Sequence, residues 1–208
     1  MANRNYIEPA DFYEEVVKCL KINEVSEKLA TIFMMVSERF CNHSNWVRYR
    51  HIRDDLISEG TFACVRAFDK FSPYNKIGLL ILNGLVKRDD DDRFSYNFKG
   101  ESYDFKFSEI ADVDIIDGDT HSGRINMMFD ALKDSGSMLS WDGEDVEYDY
   151  KICYNPHAFF TMVMSNALKQ FLKKEYNQKN IFNKMCVMNN IDPDFGYIDM
   201  MKEAETDE

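Results

Sequence analysis

The sequence of 208 residues lacks the features that mark secreted and membrane proteins. It contains no apolar run of about 18 residues and no apolar stretch behind a basic amino terminus, so we expect neither a membrane span nor a signal peptide. Its five cysteines are scattered, and none forms a Cys-x-x-Cys pair. An odd, scattered set of cysteines favours reduced thiols in a cytoplasm over a disulfide framework.

Motifs of enzymatic chemistry are also missing. The chain has no P-loop, no dinucleotide-binding glycine fingerprint, no His-Glu-x-x-His and no Gly-x-Ser-x-Gly. Cys41 and His43 have the spacing of one pair of zinc ligands, but no second pair follows. The run DVDIIDGDTHSG fails as a calcium loop, because Asp117 stands where an EF-hand requires glycine. We therefore expect no enzymatic activity, no cofactor and no metal.

Basic charge is scarce, and its distribution along the chain is uneven. The net charge is −12, while residues 87–150 carry 18 acidic and seven basic side chains, and residues 191–208 carry seven acidic and one basic. Together these two segments carry more net negative charge than the whole chain, so the rest of the chain is mildly basic. Affinity for bare duplex DNA comes from neutralising phosphates, so we do not expect this chain to hold a duplex by charge alone.

Hydrophobic periodicity predicts a mainly α-helical protein. We divide the chain into residues 1–73, a helical first part; 74–150, an acidic α+β insertion; 151–187, a long helix; and 188–208, a flexible acidic tail. Leu29, Ile32 and Phe33 illustrate the helical spacing of the first part. In the insertion, aromatics alternate with polar residues on both sides of Lys99-Gly100 and predict a β-hairpin. The apolar run over residues 77–86 fits either a helix or a strand.

The long helix contains NPHAFFTMVMSNALKQFLKKE, residues 155–175. Asn155 is a good N-cap, and Pro156 suits the first helical position. Two apolar stripes follow at i, i+4 spacing, one starting at Phe159 and one at Phe160. The polar side carries Thr161, Ser165, Asn166, Lys169, Gln170, Lys173 and Lys174. It fits either the solvated face of a core helix or a surface that hydrogen-bonds bases and neutralises phosphates.

Two segments together resemble region 2 of the sigma-70 family of bacterial transcription initiation factors. The first is DDLISEGTFACVRAFDKFSP, residues 54–73, with the family's Asp-Leu followed by Glu-Gly. The second is the helix of residues 155–175, where Phe159 and Thr161 match an aromatic and a threonine. Within the family, the chain is most similar to the late-transcription sigma factors of T-even-like tailed phages. The resemblance implies a sigma region 2-like helical domain, interrupted here by the acidic insertion.

The resemblance implies a role for each segment. The first would dock on the clamp helices of the largest subunit of core RNA polymerase, through Asp54, Asp55, Leu56, Glu59, Gly60, Ala67 and Phe71. The second would read a −10-like promoter element and nucleate DNA opening, through Phe159, Phe160 and the seven polar residues named above. One or two flipped bases would stack on the phenylalanines.

The chain departs from the family pattern at three points. Residues 74–154 separate the two segments, which the family joins by a few residues. Met162 and Val163 stand where housekeeping members carry two tryptophans. No sequence for a −35-reading domain follows Lys184, so we expect only a −10-like element to be read.

The acidic tail resembles the sliding-clamp-binding patch of those phage factors through Phe195, Tyr197, Ile198, Met200 and Met201. The alternative is a terminus whose apolar side chains pack back on the body. The insertion is either a structural appendage or an acidic mimic of DNA.

The resemblance implies several partners and one location. The partners are core RNA polymerase, with its flap as a second contact, promoter DNA, a phage sliding clamp and a late co-activator, without a membrane. The location is the cytoplasm of an infected bacterial host. The main alternative function is a co-activator or anti-sigma regulator that binds polymerase or a sigma factor without reading DNA. A virion or scaffold protein is a third class, and it would need none of these residues.

Overall fold

The chain divides into two compact units. The computed structural model describes residues 7–43, 46–111, 120–144 and 146–188. We call the described residues of Ile7, Val25–Asp69 and 157–188 the helical unit. We call the described residues of Glu8–Glu24 and Lys70–Pro156 the mixed unit.

The described elements confirm a mainly α-helical protein with a small antiparallel sheet. In chain order they are α1 (Pro9–Ile22), α2 (Glu27–Cys41), α3 (Arg53–Ala67), α4 (Lys76–Leu82), β1 (Val86–Arg88), β2 (Arg93–Phe98), β3 (Glu101–Lys106), α5 (Ser108–Ala111), α6 (His121–Asp134) and α7 (Pro156–Met188). Short 3₁₀ turns cover Val47–Ile52 and Phe68–Lys70. None of the described helices combines the length and the apolar character that crossing a bilayer requires.

In the helical unit, α2, α3 and α7 each contribute one apolar face to a shared core. Ser26 begins α2 as an N-cap, because its hydroxyl accepts a hydrogen bond from the Leu29 backbone N–H at 3.0 Å. The buried side chains recur at helical spacing and include Leu29, Ile32, Phe33, Leu56, Cys64, Phe160, Met164 and Leu168. Because these faces are occupied, a functional site of this unit must lie on the remaining sides of the helices.

In the mixed unit, the described strands form an antiparallel sheet of order β1-β2-β3 with one apolar face. Alternate residues of a strand point to opposite faces, and the inward set packs on α4 and α6. The buried cluster comprises Ile77, Leu80, Val86, Phe94, Tyr96, Phe105, Ile125 and Met128.

The predicted hairpin is confirmed, with β2 and β3 joined at Lys99-Gly100. Both turn residues have positive φ, 52° at Lys99 and 87° at Gly100. Two consecutive positive values match the right-handed twist of the paired strands. The apolar run over residues 77–86 contributes to both kinds of element, since it runs from α4 into Val86, the first residue of β1.

The acidic charge of the mixed unit is partly neutralised within the unit. Arg88 forms ion pairs with Asp92 and with Asp149, the latter at 2.7 Å. Lys151 forms a second pair with Asp92. These pairs tie the turn between β1 and β2 to the segment before α7, so part of the acid has a structural use.

α1 belongs to the mixed unit, which differs from the predicted boundary at residue 73. The Tyr13 hydroxyl donates a hydrogen bond to the Pro73 carbonyl oxygen at 3.1 Å, and the Tyr13 ring lies 6.2 Å from that of Phe71. Burial raises the pKa of Tyr13, so its hydroxyl keeps the proton that it donates. These contacts join residues that are far apart in the sequence, and helical periodicity carries no information about them.

Gly78→Ala is expected to destabilise the mixed unit. A Cβ at Gly78 would lie 2.2 Å from the Ile152 carbonyl oxygen, and that backbone atom cannot move aside cheaply. An alanine with free space in a helix would stabilise it by about 1 kcal/mol, whereas overpacking costs about 1–3 kcal/mol. Urea unfolding followed by circular dichroism should show a lower midpoint. An unchanged or higher midpoint would contradict the close approach of α4 to Ile152.

Candidate nucleic-acid interface

One side of α7 borders an open groove of about 550 Å³ in the helical unit. Four of the predicted DNA contacts line this groove, namely Thr161, Ser165, Asn166 and Lys169. Their spacing of i, i+4, i+5 and i+8 places them along one flank of the helix over about two turns. They supply two hydroxyls, an amide and an ammonium group, which are side chains that meet bases and phosphates in nucleic-acid complexes.

Four further residues line the groove and were not in the predicted site: Phe40, His157, Ala158 and Met162. Phe40 belongs to the last turn of α2 and contributes an aromatic wall. In the sequence it looks like another member of the buried stripe of α2, so no local signal separated it from the core. For the exposed Met162, the sequence indicates only that a methionine replaces a tryptophan of the family pattern.

His157 is oriented by the backbone near the start of the described chain. Its Nε2 lies 3.0 Å from the carbonyl oxygen of Ile7. A carbonyl oxygen only accepts hydrogen bonds, so Nε2 carries the proton and donates it. The imidazole at the groove is therefore held by a contact between residues 150 positions apart.

Phe159 and Phe160 have different environments. Phe160 is fully buried, and its ring centroid lies 4.6 Å from that of Phe33. The prediction that Phe160 contacts DNA is therefore wrong for this structure, because the side chain is core. Phe159 is partly exposed and meets Phe160 edge-on at 5.0 Å. Asn166 follows Phe159 by seven residues, so Phe159 lies on the Asn166 side of α7 and remains a candidate contact.

The other three predicted DNA contacts lie beyond the groove. Gln170, Lys173 and Lys174 are exposed on the next turns of α7, and they do not line the groove. Lys173 follows Lys169 by four residues and continues the same flank. The two lysines extend the positive charge of the groove along the helix.

The predicted polymerase-docking residues divide between surface and core. Asp54 and Asp55 are exposed, and Ala67 is partly buried. Glu59 is partly exposed and forms an ion pair with Arg66 at 2.8 Å. Leu56, Gly60 and Phe71 are buried, and Phe71 lies in the mixed unit. These three are corrections to the predicted docking surface, because side chains inside the units cannot touch a partner.

Gly60 is explained by close packing inside the helical unit. A Cβ at this position would lie 3.1 Å from Ser37 Oγ and 3.6 Å from Met164 Cγ. The Ser37 hydroxyl also donates a hydrogen bond to Met164 Sδ at 3.1 Å. The missing side chain lets α3 approach α2 and α7 closely.

Phe62 was missed on α3, although its position carries a signal. It is exposed, and it follows Asp55 by seven residues and Glu59 by three. These spacings place the three side chains on one side of the helix. The outer side of α3 therefore presents the exposed Asp55, the Glu59–Arg66 ion pair and one large apolar side chain.

The thiols of Cys41 and Cys64 in the helical unit are unsuited to nucleophilic chemistry. Burial raises the pKa of Cys64 to about 12, and burial raises that of Cys41 to about 11 against the opposing charge of Arg53. Both thiols are therefore protonated at neutral pH. Among the described residues, no group of three or more histidines, cysteines and acids is placed to hold a metal ion.

The predicted clamp-binding residues Phe195, Tyr197, Ile198, Met200 and Met201 lie outside the described residues. No family model, curated protein or solved structure matches the chain. The resemblance to sigma region 2 therefore rests on the residues themselves and stays a prediction.

Phe160→Ala is expected to destabilise the helical unit far more than Phe159→Ala. Removing a fully buried phenylalanine costs about 3–5 kcal/mol, whereas Phe159 is already partly in water. Urea unfolding can be followed through Trp46, which is in this unit, in a Trp141→Phe background. Equal losses in the two variants would contradict the assignment of Phe160 to the core.

Proposed function

We propose that this chain is a phage late-transcription sigma factor that binds host core RNA polymerase, recognises a −10-like promoter element and nucleates DNA opening. The observation that carries the proposal is the groove along α7, whose lining joins Thr161, Ser165, Asn166 and Lys169. Hydroxyl and amide groups bond base edges, and the lysine neutralises a phosphate. The packing of α2, α3 and α7 in one unit is compatible with the order of the resembling segments.

The free-energy cost of melting DNA limits how many base pairs of the promoter this chain can open by itself. A bubble of roughly 10 base pairs costs about 1.4 kcal/mol per step, on the order of 14 kcal/mol in all. One base stacked on an aromatic returns about 1–3 kcal/mol. Phe159 and the groove wall Phe40 are the candidates for such stacking, since Phe160 is core. The chain would therefore capture one or two bases, and polymerase would hold the rest of the bubble.

The charge distribution fits a factor that acts only with polymerase. The mildly basic part of the chain includes the lysines of α7, whereas residues 87–150 and 191–208 are strongly acidic. Net repulsion discourages binding to free duplex. DNA would then be engaged productively only after the chain docks on polymerase.

The outer side of α3 is the surface proposed to meet polymerase. Asp55 can pair with a basic group, and Glu59 can exchange its ion pair with Arg66 for one with a partner. The exposed Phe62 adds apolar area that a partner would bury. The same surface fits the runner-up function, a co-activator or anti-sigma regulator that binds polymerase or a sigma factor without reading DNA. What separates the two functions is promoter-specific opening.

Initiation from a late phage promoter by host core polymerase tests the proposal. The wild-type chain should give promoter-specific transcripts. Asn166→Ala/Lys169→Ala should give at least about tenfold fewer, because each of the two lost contacts of about 1.4 kcal/mol is worth a factor of ten. Lys18→Ala is the charge-matched control, because it removes one exposed lysine from α1 of the mixed unit. Its transcript yield should equal the wild-type yield.

Retention on immobilised polymerase separates docking from DNA reading. Asn166→Ala/Lys169→Ala should be retained like the wild type, whereas Asp55→Lys/Glu59→Lys should lose retention. Retention of the wild type without specific initiation would favour the regulator. Initiation that is unaffected by Asn166→Ala/Lys169→Ala would contradict the proposed contact between the groove and promoter DNA.

A further inference from the structure

The last turns of α7 expose a stripe of large apolar side chains. Ile181, Phe182, Met185 and Met188 are all more than half exposed. Their spacing of i, i+1, i+4 and i+7 places them on one side of the helix. A contiguous exposed apolar stripe of this kind marks an interaction site.

Exposed lysines accompany this stripe along α7. Lys174 precedes Ile181 by seven residues, about two turns, and continues the side that carries the stripe. Lys173 and Lys184 are eleven residues apart, about three turns, so both share the flank of the groove residue Lys169. We call the stripe with Lys173, Lys174 and Lys184 the distal surface of α7. It combines apolar area with positive charge and leads back to the groove.

We propose that the acidic C-terminal segment, residues 189–208, docks on the distal surface of α7 and competes there with DNA. The segment has the complementary chemistry: seven acidic side chains against one lysine, interspersed with apolar residues such as Phe195, Tyr197 and Ile198. Its acids can neutralise the lysines while its apolar residues cover the stripe. The competition rests on the proposed function, because DNA is the competitor.

The length of the segment suits this docking. Twenty residues follow Met188, and at about 3.3 Å per residue they reach roughly 65 Å. The path back along α7 from Met188 to Lys169 is only about 28 Å at about 1.5 Å per residue. The length of the segment therefore allows it to reach every lysine of the distal surface.

The charges favour this occupant over a second copy of the chain. A pair of distal surfaces would bring Lys174 and Lys184 of each copy close to the same lysines of the other. Like charges in contact oppose association, whereas the acidic segment meets the lysines with the opposite sign. Since the segment is tethered at Met188, its effective concentration at the surface is also high.

Docking would regulate the groove side of α7. When the segment covers the lysines, only the undocked fraction of molecules is available to DNA, and the apparent affinity falls by that fraction. A partner that takes the segment would raise the affinity for DNA. The acidic segment and the basic helix would thus form one switch.

The test uses the full chain and two uncharged double variants with matched exposure. Ile181→Gln/Phe182→Gln disrupts the stripe, whose two side chains are 59% and 56% exposed. Ile22→Gln/Leu139→Gln is the control, since those side chains are 61% and 59% exposed and lie in the mixed unit. Amide hydrogen exchange of residues 194–201 reports docking directly. Fluorescence anisotropy with labelled oligothymidylate at low salt reports access to the lysines.

Docking predicts protected amides in the wild type and the control, and loss of protection in the stripe variant. Competition predicts that the stripe variant binds oligothymidylate about tenfold more tightly than the wild type, although no charge has changed. This factor is expected when about a tenth of wild-type molecules are undocked. Unprotected amides in the wild type, or equal protection in both variants, would overturn the docking whatever the DNA result. Loss of protection without a change in affinity would uphold the docking and overturn the competition, while the DNA role of α7 is tested separately by initiation with Asn166→Ala/Lys169→Ala.

Discussion

The burial of one stripe of α7 against α2 and α3 determines the surface of the helical unit. Phe160 packs on Phe33 at 4.6 Å, and Met164 accepts a hydrogen bond from Ser37 at 3.1 Å. Successive residues of a helix are turned by about 100°, so fixing this stripe also fixes the flank that carries Thr161 and Lys169. The groove depends on that packing. A substitution that rotates α7 about its axis would therefore disrupt the core contacts and the groove together.

The sequence was most informative where the determining chemistry is local. The start of α7 at Pro156 follows from capping preferences, and the hairpin follows from a turn of two residues with positive φ. Neither prediction needs knowledge of distant parts of the chain. By contrast, two apolar stripes on α7 satisfied helical periodicity equally well. Their ranking depends on which helices approach, and the close approach at Gly60 involves three separate elements.

The contrast between local and long-range interactions also explains the other differences between the sequence-based predictions and the structure. Leu56 and Gly60 were assigned to a docking surface because a motif records residue types and not their burial. Phe40 was assigned to a core stripe, and it does pack against a buried cluster that includes Trp46 and Leu168, but it also lines the groove. α1 was grouped with the helices that follow it, but Tyr13 bonds to Pro73, sixty residues away. In each case a long-range contact decided the outcome.

The proposed function assigns opposite charges to two helices of one unit. In this proposal, α3 meets polymerase through exposed acids, and α7 meets DNA through lysines and amides. The most direct test is permanganate footprinting of unpaired thymines at a late phage promoter with host core polymerase. The account predicts reactive thymines near the −10-like element only when polymerase and this chain are both present. Stable binding of the chain to polymerase without reactive thymines would contradict it.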